Sequence, residues 1–454
     1  MKILGIDIGT TTITALLLDT ETKSVIKGCT LKNDSFIEGK SFERLQDPKI
    51  IIDTVESAVK SVTADSTPDA VGITGQMHGI LYLDKEYKPC SPLMIWQDER
   101  GNESYSDEET YAQHLTNTTG IKAATGFGLT THFYNIKNNL VPEDAVMLST
   151  IHDYLGAYMT DTIPVTHSSD GASLGFFDLQ KLCFDDNALE IAGINKDFLP
   201  RVISGTECIG TTKCDFLPDG IPVAVAIGDN QASFLGSVAE PDKSVLVNVG
   251  TGSQVSFMTK DVTTPKLGEI RPLTEDKYIF VGASLCGGRA YAILKSFFSM
   301  CADFLGGSDE DLYSKMDALA ETARNEKNPL CVNCEFCGTR EDPESRGSIE
   351  DIGADNFTPA NLIYGVLDGV AVELTTMYIG ASKLTLNISP EKLVCSGNGL
   401  RKSELWREIF ERYFRMSAEL PLHSEEAAVG ACVFSGAATG IFKDIKASQD
   451  ALLR

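Results

Sequence analysis

Two short segments of the chain share one build. "ILGIDIGTTT" runs from Ile3 to Thr12 and "VLVNVGTGS" from Val245 to Ser253. Each is an apolar run that ends in Asp or Asn, one aliphatic residue, then Gly-Thr and more small residues. Gly9 aligns with Gly250 and Thr10 with Thr251, 241 positions later. That interval is far beyond the period of a stacked repeat. It predicts two lobes of similar build, each presenting one Gly-Thr turn. Glycine lets the backbone approach a ligand closely. Successive N–H groups and threonine hydroxyls then offer donors to phosphate oxygens. Two such turns facing each other would grip a nucleoside triphosphate from both sides. The copies differ where Asp7 stands against Asn248, and a carboxylate can order the water shell of Mg²⁺. A pair of ordinary hairpin turns is the plain alternative, and it is weakened by the pairing and by the asymmetric aspartate.

The chain of 454 residues is too long for one ordinary core. Its formal charge of −25 repels phosphate backbones and anionic lipid heads. Nucleic acid and membrane surfaces are therefore poor partners, whereas a local nest of N–H groups can still hold a small anion. "MKILGIDIGT" enters an apolar run at once, so no signal peptide is expected. The longest uncharged stretch, Ala427 to Phe442, is short for a membrane span and rich in small residues. It is expected to be a closely packed interior helix. Twelve scattered cysteines favour free thiols and a reducing, cytoplasmic location. Cys331, Cys334 and Cys337 cluster, but a metal site wants four ligands and no partner pair of matching spacing follows.

Three further segments carry polar groups at the ends of apolar runs. "GIPVAVAIGDNQASFLGS" predicts a buried strand, Ile221 to Ile227, that breaks at Gly228 and offers Asp229, Asn230 and Gln231. Ligand chemistry in α/β sheets gathers beyond such carboxyl ends, although Asp229 could instead cap the next helix. "GITGQMHGILYL", Gly72 to Leu83, sets Gln76, Met77 and His78 between Gly75 and Gly79. Gln76 and His78 can each donate and accept hydrogen bonds. A satisfied core histidine is the plain reading. "LVCSGNGLRKS", Leu393 to Ser403, predicts a strand followed by a turn at Gly397, Asn398 and Gly399 that leaves a slot for a planar base.

In this order the strings resemble the FGGY carbohydrate kinases, relatives of the hexokinase, actin and Hsp70 ATPases. The resemblance covers essentially the whole chain and includes "MIWQDERGN" from Met94 and "FCGTREDPESRG" from Phe336. It implies an α/β fold: two ribonuclease-H-like lobes of the actin/hexokinase type, residues 1–236 and 237–454, with a deep interdomain cleft. It implies ATP and Mg²⁺ as cofactors. Asp7 and Asp229 would stand by the metal, through water. Gly9, Thr10, Thr11, Thr12, Gly250, Thr251 and Gly252 would hold phosphate. Gly287, Gly397, Asn398 and Ser403 would lie along the rest of the nucleotide. Asp229 is similar to the family's catalytic aspartate. Gln76, Met77, His78, Trp96, Asp98 and Asn230 match positions that meet the sugar. "GQMHG" is similar to the ketose kinases of the family, and the further strings lean toward those acting on sedoheptulose, with D-xylulose as the alternative. A monomer or homodimer is expected. A nucleotide-switched protein of the actin or Hsp70 type is the rival from another class.

Overall fold

The computed structural model describes every residue except 275, 308, 309, 340, 341, 343 and 386–388. Positions 340, 341 and 343 of the string that begins at Phe336 therefore lie outside the described residues.

The chain forms two units. The first opens with β1 (Lys2–Ile8), β2 (Thr12–Asp19) and β3 (Ser24–Lys32), an antiparallel meander. α1 (Pro48–Thr63) follows, its first turn closed by Asp47, whose carboxylate accepts from the Lys49 N–H. Ile51, Ile52, Val55, Ala58, Val59 and Val62 recur at helical spacing and join the core over β2. β4 (Ala70–Gly75) lies parallel to β1. After α2 (Ile151–Thr160) and α3 (Ser168–Leu174), β5 (Cys208–Thr211) and β6 (Pro222–Ala224) complete the sheet in the order β5-β6-β4-β1-β2-β3. The short strand Ile227–Gly228 also pairs with β4 and leads straight into α4 (Asp229–Ser237).

The second unit repeats the plan. β7 (Ser244–Val249) and β8 (Ser253–Thr259) are an antiparallel hairpin, and β9 (Lys277–Ser284) pairs with β8. α5 (Gly288–Phe304) and α6 (Pro359–Ser382) follow. By length and composition alone α6 could cross a membrane, but it carries Asp368 and Glu373, and over half of it is buried in this unit. β10 (Lys392–Ser396) runs parallel to β7. α7 (Gly397–Lys402), α8 (Glu404–Phe414) and β11 (Ser417–Glu419) follow, and the sheet runs β9-β8-β7-β10-β11 with the strand Glu269–Thr274 at its edge beside β9. The expected turn at Gly397–Gly399 is thus the first turn of a helix. Both sheets place an antiparallel meander beside a parallel strand, and both Gly-Thr turns sit at the hairpin between the first two strands.

The division into units falls close to the expected boundary at 236/237, with two later segments joined to the first unit. The first unit comprises Met1–Ala239, Arg271–Lys277 and Glu425–Arg454, and the second Glu240–Ile270 and Tyr278–Ser424. The chain returns to the first unit through α9 (Glu426–Ala438) and α10 (Ile445–Leu452). The reason is steric. Gly5 and Gly72 are cross-strand partners on β1 and β4. A Cβ on either would overlap the carbonyl oxygen of Ala428 or Ala431 of α9. Gly430 meets the Ala232 carbonyl of α4 in the same way, and Gly236 meets that of Glu426. Small residues therefore let α9 lie backbone to backbone on the sheet and on α4, which accounts for the composition of Ala427–Phe442.

Replacing Gly430 by Val should destabilise the first unit by ~3 kcal/mol or more, because the clash is with backbone. Gly380→Ala is the control. It lies in α6 with open space around its Cβ position, so a gain of roughly 0.5–1 kcal/mol is expected. Thermal and denaturant unfolding of both variants measures this.

Candidate active site

Asp7 is the last residue but one of β1, partnered with Thr14 across the hairpin and Thr74 on β4. Gly9–Thr12 form the turn that follows. Thr11 and Thr12 are exposed, and Asn33 pins the turn by donating from Nδ2 to the Gly9 carbonyl at 2.9 Å. The turn is also wired to the end of β4. Trp96 Nε1 donates to Thr10 Oγ1 at 3.0 Å, and Thr10 Oγ1 donates to Gln76 Oε1 at 3.0 Å. Gln76 Nε2 donates to Gln46 Oε1, and Gln46 Nε2 returns to the Thr10 carbonyl, each at 2.8 Å. Gln46 and Gln76 are almost fully buried, whereas the Trp96 ring is 43% exposed. The Gly9–Thr12 turn and the end of β4 are one hydrogen-bonded object.

His78 follows at φ 73, a left-handed backbone rare for a residue with a side chain. Its N–H donates to Ser173 Oγ at 3.1 Å, and Nδ1 lies 2.7 Å from the Ser173 carbonyl. A carbonyl only accepts, so Nδ1 carries the proton. The ring stacks on Phe127 at 5.0 Å and 7°. Met77 is buried against Gly228. Asp98 is fully buried: Oδ2 accepts from the Arg44 N–H at 3.0 Å, and Oδ1 pairs with Arg100 Nε at 3.1 Å. Its oxygens therefore already have protein partners.

Asp229 opens α4. Gly228 is the N-cap, so the Asp229 carboxylate is not used in capping. Instead Oδ1 accepts from Asn230 Nδ2 at 2.9 Å, and Asn230 Oδ1 accepts from Arg271 Nη1 at 2.8 Å. Burial pushes the Asp229 carboxyl above its ordinary range, against the pull of Asn230 and Arg271. Burial also pushes Asp7 up to about 7, with the negative charges of Asp229 and Glu425 adding to it and His152 opposing. These carboxylates crowd one another. Such a donor set fits a hard divalent cation, which takes oxygen ligands and keeps several waters. Behind them His152 Nε2 pairs with Asp170 Oδ2 at 3.1 Å, both wholly buried, with Asp153 beside them.

In the second unit the turn Gly250–Gly252 accepts the start of α5. Gly288 N–H donates to the Gly250 carbonyl at 2.8 Å and Arg289 N–H to the Thr251 carbonyl at 2.9 Å. Gly287 packs so closely on Gly252 that a Cβ would overlap it. Asn248 Nδ2 donates to Ser396 Oγ at 2.7 Å, joining this turn to the strand that precedes Gly397. Gly397 adopts φ 84, Asn398 is exposed, and Ser403 accepts from the Trp406 N–H as the cap of α8. Cys331 is exposed and Cys334 buried. Among the described residues the three clustered cysteines form no metal-holding group, and His152, Asp153 and Asp170 are the group that does gather.

A profile described as the FGGY family of carbohydrate kinases, N-terminal domain, matches residues 2–236. The chain belongs to the FGGY family of carbohydrate kinases. It is a kinase acting on a small-molecule sugar with ATP. Over 90% of its length it is 25% identical to the sedoheptulokinase of Mus musculus, covering 92% of that protein. It is 24% identical to the gluconokinase of Bacillus licheniformis, with 96% of this chain and 87% of that protein covered. The crystal structure of xylulose kinase from Rhodospirillum rubrum superposes with a TM-score of 0.85 over 100% of this chain and 93% of that one. At 18% identity that match speaks to the fold alone. Sequence reading missed Gln46, Asn33, Arg271 and Glu425, which reach the site from distant parts of the chain. It also gave Ser169, Asp170 and Ser173 no role.

The crowding at Asp7 has a pH signature. A carboxyl raised from 3.8 to about 7 on folding binds more protons folded than unfolded. Its stability contribution therefore falls as pH rises from about 4 to 7. Asp7→Asn should match wild type near pH 4. At pH 8 without divalent cation it should exceed wild type by about 1–2 kcal/mol, after discounting for partial exposure. Added Mg²⁺ should narrow that gap. Unfolding curves across pH, with and without Mg²⁺, measure it.

Proposed function

We propose that this kinase transfers the γ-phosphoryl group of ATP to a primary hydroxyl of a ketose, sedoheptulose foremost. The observation that carries the reading is the ring through Trp96, Thr10, Gln76 and Gln46, which ties a phosphate-holding turn to a sugar-reading strand end. The "GQMHG" string and the sedoheptulokinase relatives support a ketose with sedoheptulose first. D-Xylulose is the alternative, supported by the xylulose kinases among the relatives.

The protein's task in phosphoryl transfer is alignment and charge stabilisation. The Gly9–Thr12 turn offers backbone N–H groups to phosphate oxygens. The Thr10 hydroxyl proton is committed to Gln76, so Thr11 and Thr12, both exposed, supply the hydroxyl donors. The Gly250–Gly252 turn and Gly287 offer the same kind of donors from the second unit, and Gly397, Asn398 and the residues up to Ser403 flank the adenosine. Asp7 and Asp229 would hold Mg²⁺ through its waters. When bound, it offsets phosphate charge.

Asp229 accepts the proton of the attacking hydroxyl. Arg271, acting through Asn230, holds its carboxylate in place and favours the ionised form that a base requires. His78 offers its imidazole to a sugar hydroxyl. Trp96 lays its exposed ring along the C–H face of the sugar, with its N–H fixed on Thr10. Met77 and Asp98 contribute from below, Met77 by packing on Gly228 and Asp98 by holding the loop of Trp96 through Arg44 and Arg100. The free thiols suit a cytoplasmic setting.

Asp229→Asn is expected to lower kcat by at least ~100-fold while leaving ATP affinity largely intact. Near-normal turnover would remove Asp229 from the role. His78→Ala should raise KM for the ketose by ~10-fold with little change in KM for ATP. ATP consumption across sedoheptulose, D-xylulose, D-ribulose, gluconate and glycerol ranks the acceptors, with sedoheptulose predicted first. Preference for gluconate or glycerol would overturn the ketose reading.

A further inference from the structure

We infer that α3 is a strut that sets the sugar-reading histidine and the base at a fixed separation, with Ser169 positioning Asp229 and Ser173 positioning His78. The inference rests on the roles proposed above for those two residues.

Ser169 and Ser173 are four residues apart on a helix, hence on one face, and both are buried. Ser169 Oγ accepts from the Gly228 N–H at 3.1 Å. Gly228 is the N-cap of α4 and has no side chain with which to close its own helix. The hydroxyl on α3 therefore fixes the backbone that delivers Asp229. The one proton of that hydroxyl has two acceptors in reach, His167 Nδ1 at 2.9 Å and Asp170 Oδ2 at 3.3 Å, and it serves one of them at a time. The Ser169 N–H donates to the same Nδ1 at 3.2 Å, so this nitrogen is an acceptor, as a neutral imidazole provides. Burial holds His167 in that form, with its pKa down to about 4.

At the other end of the face, Ser173 receives two hydrogen bonds from His78, one at Oγ and one at its carbonyl. His78 needs them. Its left-handed backbone persists only where the surroundings over-determine it. Gly171 lies between the two serines against the Phe177 ring, where a Cβ would come within 2.8 Å. The His152–Asp170 ion pair anchors the first turn of the strut. Neither serine touches a reacting atom on this reading, so both are positioning residues. A displacement of about 1 Å at a base or an acceptor is enough to slow a transfer reaction strongly.

The test compares Ser169→Ala and Ser173→Ala in the full chain. It measures kcat, the KM for the preferred ketose, and ketose binding without ATP by calorimetry. Ser169→Ala should lower kcat by about tenfold or more, with ketose Kd within about twofold. Ser173→Ala should raise ketose Kd and KM by about five- to tenfold, with kcat within about twofold. Ser169→Thr and Ser173→Thr keep the hydroxyl and should recover most of each loss. If Ser169→Ala fails to fold, Ser169→Cys, a poorer acceptor, should give an intermediate fall in kcat at unchanged Kd. Wild-type kinetics in either alanine variant would overturn the strut. So would losses of kcat and affinity that rise together and follow the fall in Tm. Asp229→Asn run alongside separates the two readings. If it is dead and Ser169→Ala is fully active, only the strut falls. If Asp229→Asn is active, the base assignment falls and takes the strut with it.

Discussion

The backbone contact between α9 and the sheet of the first unit governs where the chemistry sits. Gly5 and Gly72 make a flat platform on neighbouring strands, and α9 rests on it through the carbonyls of Ala428 and Ala431. The same helix meets α4 through Gly430 and Gly236. Gln449 of α10 then donates from Nε2 to the carbonyls of Leu235 and Val238, closing the far end of α4. The helix headed by Asp229 is thus located by residues from the C-terminal end of the chain, and any side chain at these glycines would displace it.

Around that anchor the first unit concentrates negative charge. Asp7, Asp229, Asp170, Asp153 and Glu425 influence one another, and the cations that answer them are His152 and Arg271. Burial, the largest influence on His152, pulls its pKa down, yet the surrounding carboxylates hold it up at about 9. A fixed cation behind the carboxylates suits the divalent ion and polyanion proposed for the site. The overall charge of −25 does not oppose this, because N–H donors at a turn act over a few ångströms and the global field is screened within a Debye length.

The parts legible in the sequence are those encoded locally. A strand that ends in Asp-x-Gly-Thr or Asn-x-Gly-Thr announces its turn within ten residues, so both hairpins and the paired sheets were visible. Small residues at Ala427–Phe442 announced a close-packed helix but not its partner, because the complementary glycines, Gly5 and Gly72, lie some 350 or more positions away. The return of Glu425–Arg454 to the first unit was not legible for that reason. Gln46, Asn33 and Arg271 were invisible, since nothing in their neighbours distinguishes a buried hydrogen-bonding role from an ordinary loop. Asp98 and Gln76 read as ligands for sugar, yet their polar atoms are matched by Arg100, the Arg44 amide, Thr10 and Gln46. Residue type and strand-end position establish that a group is polar and near the site, and only tertiary structure shows what it already touches.

The central claim is that one unit holds the sugar, the base and a phosphate turn in a single rigid array. The most direct measurement is a crystal structure of the protein with the preferred ketose and a non-hydrolysable ATP analogue. The account predicts the ketose on the His78 imidazole and the Trp96 ring, with its primary hydroxyl oxygen about 2.6–3.2 Å from an Asp229 carboxylate oxygen. A ketose bound elsewhere, or one whose primary hydroxyl points away from Asp229 while the analogue is in place, would contradict it.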